Sequence, residues 1–114
     1  MIQDERVYIA GPMRGLPRCN FPAFDSAERK LRRMGYTNIF NPAERDRQNG
    51  FRETEQPTTF MVKQAFVEDI REIVWNCGTI AMLPGYRDHP QSLCHSELAI
   101  AKAFGLKVIE LEDE

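Results

Sequence analysis

Thr79-Ile80-Ala81-Met82-Leu83, stopped by Pro84-Gly85, is the most strand-like run in the chain. A short apolar run bounded by turn residues reads as a buried strand. Val7-Tyr8-Ile9-Ala10 before Gly11-Pro12, and Thr37-Asn38-Ile39-Phe40 before Asn41-Pro42, repeat that pattern toward the start, and Lys107-Val108-Ile109-Glu110-Leu111 repeats it near the end. Helical spacing fills the intervals. Asn20 is a candidate N-cap with Pro22 in the first turn. Phe24, Ala27, Leu31 and Met34 then recur on one face until Gly35, with Arg29, Lys30, Arg32 and Arg33 on the other. Thr58 or Thr59 can cap a second helix to about Asn76, carrying Val62, Phe66, Ile70, Ile73 and Val74, with Gly78 after its end. Leu93, Ile100, Ala101 and Phe104 mark a third, ended by Gly105.

The order is therefore strand, helix, strand, helix, strand, helix, strand. That alternation implies an α/β fold: a single three-layer domain over residues 1–114, with a parallel sheet of four or five strands and helices on both faces. Flavodoxin-like and Rossmann-like sheets have this plan, and they bind ligands beyond the carboxyl ends of their strands. Those ends single out the loop after Ala10, the segment after Phe40 and the loop from Pro84 to about Ser92. Residues 43–58 are polar, contain Gly50 and Pro57, and read as a long loop that could also carry a fifth short strand nearby.

Composition removes several functions. The 114 residues leave no room for a second domain. Fifteen basic and seventeen acidic side chains give a net charge of −2, without the basic excess that duplex nucleic acid requires. Arginine outnumbers lysine eleven to four, which keeps small anionic ligands open. Cys19, Cys77 and Cys94 have no CxxC spacing and read as reduced thiols of a cytoplasmic protein. His89 and His95, with Cys94, are too few and too irregular for zinc, so no metal is expected. The stretch from Met1 to Arg6 lacks the order of a signal peptide, and no apolar run approaches the ~20 residues of a membrane span.

Two carboxylates break the helical pattern. Asp69 stands three residues after Phe66 and four before Ile73, on the edge of the apolar stripe of the second helix. Glu97 stands four after Leu93 and three before Ile100, inside the stripe of the third and near its start. A charge removed from water is costly unless paired or used. Glu97 could serve only the helix N-terminus, and Asp69 only a salt bridge to a distant arginine. Together near one cleft they are the minimal machinery for glycosyl chemistry. Gly11-Pro12-Met13-Arg14-Gly15 links a strand to a helix, so it is either a tight turn or an anion site where Arg14 could fork a phosphate. Tyr8 lies in the strand before it, as a core residue or as an inward phenol.

Tyr8-Ile9-Ala10-Gly11-Pro12-Met13-Arg14-Gly15, Asn20-Phe21-Pro22-Ala23-Phe24, Asn41-Pro42-Ala43-Glu44, Asp69, Ile80-Ala81-Met82-Leu83-Pro84-Gly85 and Glu97-Leu98-Ala99 together resemble a family of small phage and bacterial proteins of undefined function. That family looks like a branch of the nucleoside 2-deoxyribosyltransferase superfamily, and the resemblance covers about residues 6 to 111. It implies that Glu97 is the catalytic nucleophile, that Tyr8 holds it, and that Asp69 lies close to the base. The Gly-x-x-Arg-Gly loop is similar to that of the deoxynucleotide N-hydrolases of the superfamily. Gly11, Pro12, Met13, Arg14 and Gly15, with Asn20 and Ser92, would bind the phosphate side of a nucleotide. One departure is visible: those enzymes usually carry Ser or Asp six residues before the nucleophile, where this chain has Gln91, with Ser92 one place later.

The expected activity is cleavage or exchange of the N-glycosidic bond of a 2-deoxynucleoside or its 5'-monophosphate, through a covalent glycosyl-enzyme and without a metal or redox cofactor. The alternative is a non-catalytic module of the same fold that binds or sequesters a nucleotide. A third reading is an interaction protein whose charged 43–58 segment binds a macromolecule. The resemblance also implies a homodimer or higher homo-oligomer, for which Phe21, Phe60 and Trp75 are candidate interface aromatics, with core packing the equal alternative for each. Neither a membrane nor duplex nucleic acid is expected as a partner.

Overall fold

The computed structural model describes residues 5–113. The two ends of the expected 1–114 domain, and most of the stretch read above for a signal peptide, lie outside the described residues. Strand β1 (Arg6–Ala10) is followed by helix α1 (Phe21–Arg33), strand β2 (Ile39–Phe40), helices α2 (Pro42–Gln48) and α3 (Thr59–Asn76), strand β3 (Cys77–Met82), helix α4 (Cys94–Ala103) and strand β4 (Lys107–Glu110). The strands form one all-parallel sheet in the order β2-β1-β3-β4.

Alternate side chains of the sheet fill two separate cores, as a period of two requires. Val7, Ile9, Ala81 and Leu83 pack with Phe21, Phe24, Ala27 and Leu31 of α1 and Ala43 of α2. Tyr8, Ala10, Ile80 and Met82 face the other way, toward Ile73 of α3 and Leu98 and Ala101 of α4. The chain is thus a three-layer sandwich with helices on both faces. Leu31 is fully buried, and truncating it to alanine would cost about 2–5 kcal/mol.

Several local expectations change. Residues 43–58 are not one loop, because α2 occupies their first part. Asn41 starts that helix: its Oδ1 accepts a hydrogen bond from the Ala43 amide at 3.0 Å, with Pro42 pre-set for the first turn. No fifth strand occurs among the described residues. Strand β2 shrinks to two residues because only Ile39 and Phe40 find partners, Val7 and Tyr8. Asn20 precedes α1 with a left-handed backbone and makes no side-chain cap. Gly78 does come just after the end of α3, but inside β3 rather than in a turn, since α3 passes into β3 with no residue between Asn76 and Cys77. Phe21 is fully buried in the first core, so it is no interface residue of the free chain. Thr58 does cap α3, its Oγ1 accepting from the Met61 amide at 3.1 Å. Among the described residues no helix is long and apolar enough to cross a membrane.

Candidate active site

The chain crosses from β1 to β2 on one side and from β2 to β3 on the other, so the strand order reverses between β1 and β3. The carboxyl ends of strands at such a reversal are where parallel sheets hold ligands. A cleft of about 1040 Å³ opens there. Its walls come from the segment after β1, from α2 and residues 49–57, from the first half of α3, and from the segment leading into α4.

Tyr8, Asp69 and Glu97 meet on its floor. The Tyr8 hydroxyl donates to Oε2 of Glu97 at 3.0 Å. Tyr8 is wholly buried, and Glu97 and Asp69 are only 6% and 8% exposed. Burial and the neighbouring Asp69 charge push the Glu97 carboxyl well above the ordinary glutamate range. Burial raises Asp69 as well, against the opposing pull of Arg45. Burial and the two carboxylates also hold Tyr8 protonated and donating. Burial and their mutual charge therefore both favour the protonated form of this pair over that of two free carboxyls.

Arg45 is the residue that sequence reasoning missed. It lies on α2, and its Nη2 donates to Oδ1 of Asp69 at 2.8 Å, so Asp69 does have the distant arginine partner considered above. It also reaches Asp46 at 2.9 Å and Glu68 at 3.2 Å. The signal was present: Asn41-Pro42-Ala43-Glu44 has the cap, first-turn proline and acidic third position of a helix start, directly beyond a strand at the ligand end.

The glycine loop is partly as expected. Gly11, Pro12, Met13 and Arg14 line the cleft. Arg14 is exposed and has no hydrogen-bond or ion-pair partner among the described residues. Gly11 is glycine for packing reasons, because a Cβ there would stand 2.5 Å from Cγ of Leu83. Gly15, with φ of 87°, makes a turn outside the lining. Asn20 is also outside the lining; its Nδ2 donates to the Pro12 carbonyl at 2.8 Å and so holds the loop from behind. It closes a left-handed turn in which Arg18, Cys19 and Asn20 all have positive φ (54°, 52° and 60°). Three such residues in succession are strained and persist only when surrounding contacts hold them. Those contacts are the Asn20 amide, an Arg18–Glu53 ion pair and the buried Cys19 thiol on the Glu55 carbonyl at 3.5 Å. Ser92 lines the cleft, and its Oγ accepts from the Cys94 amide at 3.1 Å. Among the described residues no three His, Cys, Asp or Glu side chains converge as a metal-ligand set.

Fold and site define a small parallel α/β protein with a phenol and two carboxyls buried under a cleft at the point of strand-order reversal. Residues 5–110 match the family described as a domain of unknown function, DUF4406, and the chain belongs to that family. No curated protein matches it.

Proposed function

We propose that this chain cleaves the N-glycosidic bond of 2-deoxynucleoside 5'-monophosphates, with transfer of the sugar to a second base as a related outcome. The observation that carries the reading is the Tyr8–Glu97–Asp69 cluster, buried at the floor of a cleft whose rim holds the exposed Arg14. A structural ion pair would not need a second carboxyl without a cation of its own. The resemblance of the Gly11–Gly15 loop and of Glu97-Leu98-Ala99 to the deoxynucleotide N-hydrolases supports the same chemistry.

In this mechanism the resting pair holds one proton. Glu97 passes it toward Asp69 and attacks the anomeric carbon as the carbon–nitrogen bond breaks. The bonding electrons leave with the base, which takes the proton from Asp69. Tyr8 keeps its hydrogen bond to Glu97 and orients the attacking carboxylate. Water then attacks the same carbon, gives a proton to Asp69 and releases Glu97 as a carboxylate, so the pair regains its single proton. Two displacements at one carbon retain its configuration. Arg14 and the amides of the first loop hold the 5'-phosphate.

Incubation with each deoxynucleoside monophosphate, followed by chromatography of free base, tests this. Release by the wild type and none by Glu97→Ala is expected. No release from any monophosphate or nucleoside overturns the reading.

One observation favours the second reading, a binding module. Ser92 Oγ is held by the Cys94 amide, which leaves its proton to donate, but Gln91 stands where a phosphate or sugar ligand residue is expected. Tight nucleotide binding by calorimetry, unchanged in Glu97→Gln and without turnover, would establish it. Self-association belongs to either reading, and Phe60 and Trp75, 71% and 80% exposed on α3, are its candidate contacts.

A further inference from the structure

Arg45 has no place in the reaction described above, yet it is the cation in contact with the carboxyl pair. Its side chain is 15% exposed and that of Asp69 12%. The position of the guanidinium is over-determined. Asn41 caps α2 and donates from Nδ2 to Asp25 at 3.2 Å and Glu28 at 3.0 Å, which fastens the start of α2 to α1. The guanidinium carbon then lies 5.5 Å over the ring of Phe40, and Phe40 stacks on Tyr8. Arg45 therefore touches Asp69 directly and supports Tyr8 through one ring. A tie between α2 and α3 alone would need only the more exposed Glu68 arm. The Asp69 arm points into the site.

We propose that Arg45 is a positioning residue of this cleft: it clamps the Asp69 carboxylate in its charged form beside Glu97, so that the single proton of the pair is carried on the glutamate. The proposal rests on the glycosidic reading for its purpose, since that proton is the one the departing base takes. The groups facing the pair are Tyr8 from β1, Arg45 and Asp46 from α2 and Cys94 from α4, with Glu68 of α3 one step further out on Arg45 and Asp46. Of these, Arg45 alone is positive, and it contacts Asp69, whereas Glu97 has the phenol. An opposite charge at hydrogen-bond distance favours the ionised form, which assigns the negative charge to the aspartate.

The test is a carboxyl-carbon NMR titration of Asp69 and Glu97 in the free protein, which needs no substrate. Arg45→Gln is expected to raise both apparent steps of the pair by about one pH unit or more, tenfold or more in proton affinity, with Arg45→Lys giving a smaller rise. Glu68→Gln, which removes only the outer arm, is expected to leave both steps in place. Unchanged steps in a folded Arg45→Gln protein overturn the proposal. Should that variant not fold, unchanged steps in Arg45→Lys do so instead. Where turnover is measurable, both limbs of the kcat/KM profile are expected to follow the NMR shift while KM stays near wild type. Steps that move in a protein without turnover sink the glycosidic reading and leave the clamp standing; turnover with steps that do not move does the reverse.

Discussion

Phe40 lies flat against Tyr8, with ring centroids 5.4 Å apart and planes inclined by 15°. The parallel register of β1 and β2 places the two residues side by side, so this contact follows directly from the strand pairing. Arg6 and Arg45 both stand over the Phe40 ring, at 5.3 and 5.5 Å. Such stacked and cation-capped rings are worth about 1 kcal/mol per contact and, more usefully here, remove rotational freedom. The two-residue strand β2 is short, but it aims the phenol of the site.

Tyr8→Phe deletes the donor to Glu97 and leaves the stack with Phe40 in place. Turnover is expected to fall about ten- to hundredfold, the worth of one hydrogen bond to a charged group, with KM little changed. Steady-state kinetics of the proposed base release from a deoxynucleoside monophosphate check this.

Glu97→Gln is expected to stabilise the protein at neutral and alkaline pH. The folded Glu97 carboxyl holds its proton well above the ordinary range, while the unfolded chain ionises near about 4.3. Below that ordinary value both states carry the proton and the stability of the neutral buried carboxyl is fully present. As pH climbs from there through the raised folded value, that contribution is lost. Glutamine stays neutral throughout. Thermal melts of the two proteins should coincide at about pH 4 and separate, with the variant higher, by about pH 8.

Arg14→Gln tests the phosphate side. The exposed side chain has no hydrogen-bond or ion-pair partner among the described residues, so the melting temperature is expected to stay within experimental error. kcat/KM for a 5'-monophosphate is expected to drop about tenfold or more, and that for the matching nucleoside to change little. An equal drop for both substrates would place the phosphate elsewhere.

Gly11→Ala and Leu83→Ala are expected to be coupled. The added methyl meets the Leu83 side chain, an overpacking that costs about 1–3 kcal/mol. Leu83→Ala alone opens a cavity costing about 2–5 kcal/mol. Each change relieves part of the other, so urea unfolding of the double variant should show less than the summed loss.

Asn20→Gly is expected to be milder than Asn20→Ala. Both lose the bond to the Pro12 carbonyl, but only glycine takes the left-handed backbone without penalty. A difference of about 1 kcal/mol in unfolding free energy is expected between them.

Much of this was legible in the chain. The apolar runs ending in Pro-Gly, Gly-Pro and Asn-Pro marked β1, β2 and β3, and their alternation with helical stripes gave the parallel sandwich. Asp69 and Glu97 announced themselves as charges on apolar helical faces, because their spacing from Phe66, Ile73, Leu93 and Ile100 is purely local. Helix α2 was not seen, since Pro42 and Ala43 are its only buried residues and no 3.6-residue stripe exists to read. The helix start at Asn41-Pro42-Ala43-Glu44 marks the element that carries Arg45, but not its role, because its partner lies twenty-four residues away on another helix. The left-handed turn at Arg18-Cys19-Asn20 carries no glycine, and only its tertiary contacts hold it.

The direct passage from α3 into β3 makes the chain there a ruler. Counting from Asp69, the number of residues to Cys77 sets both where that carboxyl points and which side chains of β3 face each layer. One inserted residue at the junction would exchange Ile80 and Met82 for Ala81 and Leu83 across the sheet, because the strand repeat is two. Tyr8 would then lose the neighbours that pack beside it, and Gly11 the side chain that requires its missing methyl. Changes of length are far easier to absorb in residues 49–58 and 84–92, at the end where the ligand would enter. The molecule thus has one end whose length is fixed by the sheet register and another whose length can vary without disturbing it.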